Sequence, residues 1–312
     1  MIMLSRVAER LYWMARYLER AEDTARLALA YHHLIMDIPR GSEPEWDVLI
    51  RILDAETDFY NRYRVGNEQN VIRYLLAEED SFSSIPFCVS SARENVRTTR
   101  DVLPEETWEQ VNELFIFCQD SADGSAGRRN RHAFCEEIIN RCQMINGSLL
   151  STLSRDHAYR FIKLGHMLER ADMVTRVVDV GAGDILDREG AFAAVDPLLW
   201  GALLQAMSAL GSYRRIIGPL VEKNAVVDFV FSEPTFPRSV HFCLREIREE
   251  LGPLNNNQAA VKICGRARRR LRGFESDKVT RQELHDFIDN FQLVVHDLHL
   301  AIQSTWFQPD TR

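Results

Sequence analysis

The 312-residue chain is defined first by what it does not contain. No apolar run approaches the roughly 20 residues that a membrane-spanning helix needs. The N-terminus has the charged pattern of an amphipathic helix and lacks the continuous apolar core of a secretory signal, so no membrane association is expected. Basic residues are not in surplus: 38 Lys and Arg stand against 46 Asp and Glu, a formal net charge of −8. Neutralising phosphates takes a basic surface, so this balance speaks against nucleic acid as a partner. The six cysteines (Cys88, Cys118, Cys135, Cys142, Cys243 and Cys264) form no CxxC pair and no zinc-like spacing. They read as small buried residues or free thiols in a reducing compartment, the bacterial-type cytoplasm. There is no GxxxxGKS or GxxxxGKT loop, no GxGxxG after a strand and no GxSxG elbow, which disfavours an independent nucleotide-using enzyme. Neither a metal nor a cofactor is expected.

What the chain does contain is helical patterning over a composition that is 46% hydrophobic and 27% charged, ordinary for a protein with a sizeable core. At about 100° per residue, Leu4, Val7, Leu11, Met14, Leu18, Ala25 and Leu29 fall on one stripe. Trp13, Tyr17 and Leu27 lie on the other side, and a helix apolar nearly all round is usually buried. Its charges are then the anomaly: Glu22 projects within the stripe, Glu19 and Arg26 border it, and Arg20 points away. A loop with Pro39, Gly41, Ser42 and Pro44 follows, then a helix from about Trp46 to Tyr63 and helical turns from about Glu68 to Ala77. Ser and Pro residues open a helix within SSIPFCVSSARENVR, residues 83–97, and Pro104-Glu105-Glu106 opens the next. SADGSAGRRN, residues 121–130, reads as a flexible loop, with a helix beyond it from about Ala133 to Leu150. No period-2 alternation of strand length occurs, so no strand is expected.

The opening stretch LSRVAERLYWMARYLERAEDTAR, from Leu4, returns as LSRDHAYRFIKLGHMLERADMVTR, from Leu153. Arg10 matches Arg160, Glu19-Arg20-Ala21 matches Glu169-Arg170-Ala171, Glu22 matches Asp172, and Arg26 matches Arg176. A second block repeats in the same order: Trp46 matches Trp200, Ser84 matches Ser239, Phe87-Cys88 matches Phe242-Cys243, and Arg93-Glu94 matches Arg248-Glu249. Two blocks at nearly constant offset predict one ancestral helical unit duplicated into halves, residues 1–150 and 151–312. The period is too long for a solenoid repeat. The expected fold is all-α, a two-lobed helical bundle formed by internal duplication about a pseudo-twofold axis and packed as one unit.

The principal candidate site is the charged set shared by both copies: Arg10, Glu19, Arg20, Glu22, Arg26, Arg160, Glu169, Arg170, Asp172 and Arg176. Ionised groups in a buried helix must be paired or lose their charge. One reading is a pocket in which arginines grip a carboxylate or phosphate and a glutamate holds an amine or acts as a base. The other, which carries more weight, is a salt-bridge network that fixes how the two helices cross. Ser84 and Ser239 read as helix caps, and Arg93, Glu94, Arg248 and Glu249 as extensions of the charged set. In the last helix His285, Asp289, Gln292, His296, His299 and Gln303 share a stripe. Leu284, Ile288, Phe291, Val294, Val295 and Leu298 occupy the other side, so the stripe is the expected solvent face and not a metal site. The basic stretch KICGRARRRLR, from Lys262, reads as a solvated helix end.

The doubled Glu-Arg pattern and the SSIPFCVSSARENVR segment together resemble the bacterial Alpha-E domain family, over nearly the whole chain. That family's pattern places Asn-Pro before Ser-Ser. Here Ser81-Phe82 stands at the first position, and Phe236-Pro237 keeps the proline at the second. The resemblance implies an all-helical fold and a setting beside a circularly permuted ATP-grasp protein and a transglutaminase-like protein, in a peptide- or amide-bond-forming system. It implies functional standing for the shared Glu and Arg positions. The leading expectation is an accessory or substrate-binding component of an ATP-grasp-linked system. The alternatives are a stand-alone enzyme using a buried Glu/Arg cluster, with Glu22 or Glu19 as base, and a purely structural helical scaffold. A homo-oligomer is compatible with each.

Overall fold

The first helix, α1, runs for 33 residues from Ser5 to Asp37. Its apolar residues surround it, and it lies at the centre of the molecule, with Leu11, Tyr12, Met14, Ala15 and Leu18 fully buried. The computed structural model describes residues 4–39, 44–186, 196–276 and 280–308. The expected loop residues Gly41 and Ser42 lie outside these.

Thirteen further α-helices follow among the described residues: α2 (Val48–Ile52), α3 (Glu56–Arg62), α4 (Glu68–Leu76), α5 (Ile85–Arg97), α6 (Glu105–Ser125), α7 (Arg128–Thr152), α8 (His157–Leu186), α9 (Asp196–Ala206), α10 (Leu210–Ile216), α11 (Lys223–Ser232), α12 (Val240–Leu251), α13 (Gln258–Arg272) and α14 (Arg281–Ile302). No strand occurs among the described residues, so the protein is all-α. None of the described helices is long and apolar enough to cross a membrane.

Helices pack on both sides of the central pair. The helices α1 and α8 lie against each other; α1 packs on α5 and α7, and α8 packs on α12 and α14. The pairs α5–α6 and α6–α7 are matched by α12–α13 and α13–α14, while α1 also meets α9 and α8 meets α2. Close approach of the central pair depends on Gly165, where an added Cβ would sit 2.3 Å from the Tyr12 carbonyl oxygen and 3.0 Å from the Ala15 Cβ.

Two sequence expectations are corrected here. The helix expected across 46–63 is two short helices, broken where Asp54 adopts φ 53°. The stretch 121–130 is almost wholly helical: α6 continues to Ser125 and α7 begins at Arg128, because Ala122 and Ser125 are buried and packing overrides the glycines. The two expected caps form. The Ser84 hydroxyl accepts the Phe87 N–H and Ser239 accepts the Phe242 N–H, at 3.2 and 3.0 Å. Their hydroxyls donate to the carbonyls of Glu78 and Glu233 respectively, so the two helix starts share one geometry although Phe82 replaces proline at the first.

Candidate functional site

The Glu-Arg pairs meet where α1 and α8 cross. Each glutamate is gripped by the arginine of the other helix. Arg20 Nε donates to Glu169 Oε1 at 2.6 Å, and Arg170 Nε donates to Glu19 Oε1 at 2.6 Å. Arg16 Nε adds a bond to Glu169 Oε2 at 2.5 Å, while on the other side His166 Nδ1 lies 3.2 Å from Glu19 Oε2 and Arg170 Nη2 donates to that oxygen at 2.8 Å. The outer nitrogens of Arg20 and Arg170 reach the carbonyls of Phe82 and Pro237. Glu19 is 0% exposed and Glu169 2%, so both carboxylates are closed to solvent. Burial opposes ionisation of Glu169, yet Arg16 and Arg20 overcome it and hold the carboxyl down at about 2. For Glu19 the same contest is won by Arg170 and Arg238, which hold it well below the usual range.

A second tier lies one turn on. Arg26 Nη2 donates to Glu22 at 2.7 Å, and Arg176 Nε donates to Asp172 at 3.0 Å, the four-residue spacing that places acid before base on one helix face. Arg26 also reaches Ser208, and Arg176 lies 3.4 Å from Asp54; both of these residues have φ 53°. On the Glu22 side the buried Arg238 completes the tier, donating to Glu22 at 2.7 Å and to Asp23 at 2.6 Å, and lying 3.1 Å from Glu19. Asp23 keeps one oxygen buried and without a hydrogen-bond partner. Burial, with Glu19 and Glu22 nearby, outweighs Arg238 and pushes its carboxyl up to about 7.

Beside Asp172 and Arg176 the charged cluster opens into a cleft of about 400 Å³ between α8 and α14, with both polar and apolar walls. Arg16, Asp172, Arg176, Asp289, Gln292 and His296 supply its polar walls, and Leu168, Leu293 and Val295 its apolar ones. His299 stands at its back, stacked on Tyr12 with ring centroids 5.7 Å apart and its Nδ1 2.9 Å from the Tyr12 hydroxyl. Burial, with Arg16 beside it, lowers His299 to about 4, so at neutral pH the Tyr12 hydroxyl is hydrogen-bonded to an uncharged imidazole. Asp179, His285 and Asp289 stand just beyond; each offers one ligand atom, and all three atoms lie within 4.8 Å of one another. They are the residues here with the chemistry to hold a cation.

A family model described as a predicted alpha-helical domain with a conserved ER motif, Alpha-E, matches residues 3–307. The chain belongs to the Alpha-E family. Neither the curated proteins nor the solved structures hold a match to it.

In this Alpha-E protein the remaining candidates stand apart from the crossing. Arg160 pairs with Glu250 at 2.7 Å, and Arg10 is half-buried. Arg93 donates to Asn112 at 2.8 Å and lies 4.4 Å from the Phe115 ring centroid, Glu94 pairs with Arg97, and Arg248 and Glu249 are exposed. These four therefore do not extend the buried set. The polar stripe of α14 is also not simply a solvent face: Gln292 bonds Thr175 at 3.3 Å and His299 turns inward onto Tyr12, while the predicted apolar side is buried. The sequence reading missed Arg16, Arg238 and Tyr12. A signal existed for Arg16, since the repeat sets it against His166, another basic group. For Arg238 the signal was a difference, because the repeat sets it against Ser83.

Proposed function

We propose that this Alpha-E protein is the substrate-binding component of a peptide- or amide-bond-forming system, acting in the bacterial cytoplasm with a circularly permuted ATP-grasp ligase and a transglutaminase-like protein. Its ligand is a free amino acid or short peptide with both ends unblocked, held in the α8–α14 cleft. One observation carries this reading: the cleft walls hold two guanidiniums, Arg16 and Arg176, and two carboxylates, Asp172 and Asp289. Such a wall matches a zwitterion, with arginine forks for the carboxylate and aspartates for the ammonium. The apolar residues Leu168, Leu293 and Val295 leave room for a side chain. Six buried, unpaired cysteines suit a reducing compartment.

In the same reading α1–α7 and α8–α14 are two copies of one unit related by a pseudo-twofold axis, and the Glu-Arg pairs are the clamp between them. The reciprocal bonds Arg20–Glu169 and Arg170–Glu19 support it. The closed position of Glu19 and Glu169 and their low-held carboxyls suit a strut more than a general base, which must reach its proton. The protein then presents substrate, and the ligase supplies ATP chemistry. Mixing it with the ATP-grasp protein encoded beside it and measuring complex formation and ATP turnover tests the proposal. Turnover should rise with wild type and fall at least tenfold with a Gln292→Ala, His296→Ala variant that still binds the ligase. Equal turnover with both proteins, or no complex with wild type, contradicts it.

A further inference from the structure

The two sides of the clamp match in their Glu-Arg pairs and differ in how the space beside those pairs is filled. Taking the duplication reading above, on which this inference rests, Glu19, Glu22, Asp23 and Arg238 correspond to Glu169, Asp172, Met173 and Ser83. On the first side the Arg238 guanidinium fills the space, touching Glu19, Glu22 and Asp23, and Arg238 is 8% exposed. On the second side Ser83 stops short. What remains is a cavity of about 70 Å³ lined by Arg20, Asp54, Ser83, Glu169, Asp172 and Arg176, with Met173 in the wall where Asp23 would stand. At roughly 10–15 Å³ per water, it has room for about five waters, or for a small planar group.

The charges differ as the shapes do. Around Arg238, Glu19 and Glu22 each have a second arginine of their own, Arg170 and Arg26, and Asp23 pairs with Arg238. Around the cavity, Glu169, Asp172 and Asp54 face Arg16, Arg20 and Arg176, three against three, already balanced. An added cation there would be a partly buried charge with no counter-ion. The group that suits these walls keeps the planarity and N–H donors of a guanidinium but not its charge, and it has an acceptor for the outer arginine nitrogens. That is a primary carboxamide. Its NH₂ would donate to Glu169 and Asp172, its oxygen would accept from Arg20 or Arg176, and the Met173 thioether would lie against the amide plane.

We propose that this cavity binds a primary carboxamide, either a glutamine or asparagine side chain or the terminal amide of a peptide. The test uses the full chain labelled at methionine methyls with carbon-13, reading the Met173 signal by NMR. The probes are propionamide, N-acetyl-glutamine, N-acetyl-alaninamide, methylguanidinium and propionate. Propionamide should shift Met173 saturably, with a Kd at least tenfold below those of methylguanidinium and propionate, and Ser83→Arg should abolish the shift. The second and third probes separate the side-chain source from the terminal one. Tighter binding of methylguanidinium, or no saturable shift with any amide, overturns the assignment. A separate measurement guards the duplication reading: Ser83→Arg alone should lower the melting temperature, and Ser83→Arg with Met173→Asp should restore it by rebuilding the Arg238 arrangement. Absence of that rescue overturns the matching of the two sides. Rescue without amide binding overturns the ligand assignment alone.

Discussion

Replacing Glu169 by glutamine removes one charge from the centre of the clamp and leaves its shape nearly unchanged. Arg16 and Arg20, with side chains only 10% and 17% exposed, would then lose the carboxylate that both of them bond. Breaking a buried pair by removing one partner costs about 3–5 kcal/mol. The titration of the group gives an independent figure. Its carboxyl is held at about 2 against an ordinary 4.5, a shift worth about 3 kcal/mol at neutral pH. For a chain of this size, with an unfolding entropy of roughly 0.65 kcal/mol/K, that corresponds to a fall of about 5 °C in melting temperature. The sign of the pH dependence follows from the lowered value: the stabilisation is present above pH 4.5 and is lost as pH falls through 2. Thermal unfolding from pH 7 down to pH 2 should show wild type well above Glu169→Gln at neutral pH, with the gap narrowing below pH 4.5. Glu94→Gln, at an exposed ion pair, should change the melting temperature by less than about 1 °C at any pH. A Glu169→Gln protein as stable as wild type at pH 7, or a gap that does not narrow in acid, refutes the reasoning.

Three further outcomes are expected from stability measurements. Gly165→Ala should cost about 1–3 kcal/mol or more, because its methyl meets the Tyr12 carbonyl oxygen and helix backbone has to move, whereas Gly147→Ala has open space and should gain up to about 1 kcal/mol; equal effects at the two sites would contradict the close crossing. Ser84→Ala and Ser239→Ala should each cost about 1 kcal/mol and add in the double variant, as caps of separate helices do. Asp23 has a raised carboxyl, so its contribution is full below pH 3.8 and is lost as pH rises through 7. The melting temperature of Asp23→Asn relative to wild type should therefore climb between pH 4 and 8, and a flat or falling difference would rule that out.

Much of this architecture was legible in the residues because it rests on periodicity and local chemistry. The all-round apolar pattern of 4–29 marked α1 as buried, and it is. Ser84 and Ser239 marked two helix starts, and both cap. The charge matches Glu19 with Glu169 and Arg20 with Arg170 identified the residues at the crossing, although only the structure shows that each pairs with the other helix. What escaped was set by tertiary packing. Glycines at 124 and 127 signalled a loop that burial of Ala122 and Ser125 keeps almost wholly helical. Asp54 breaks an otherwise continuous pattern with a single left-handed residue. The basic stretch of α13 is tied to α14 through Arg266–Asp297 and through Arg270 to the Asn290 carbonyl, contacts that no local pattern foretells. Arg238 escaped because it stands opposite Ser83 in the repeated sequence pattern, a position where charge is not shared.

The claim that the clamp holds the structure while the cleft holds the ligand is tested most directly by calorimetric titration of a free dipeptide, alanyl-alanine, alongside its N-acetyl amide. Wild type should bind the free dipeptide and bind the doubly blocked form at least tenfold more weakly. Arg20→Lys, altered in the clamp, should melt lower yet keep that affinity, because Arg20 pairs with Glu169 and does not line the cleft. Arg176→Ala should lose at least tenfold in affinity. If Arg176→Ala and the blocked peptide bind as the wild type and free dipeptide do, or if affinity falls only with Arg20→Lys, the division of labour is wrong.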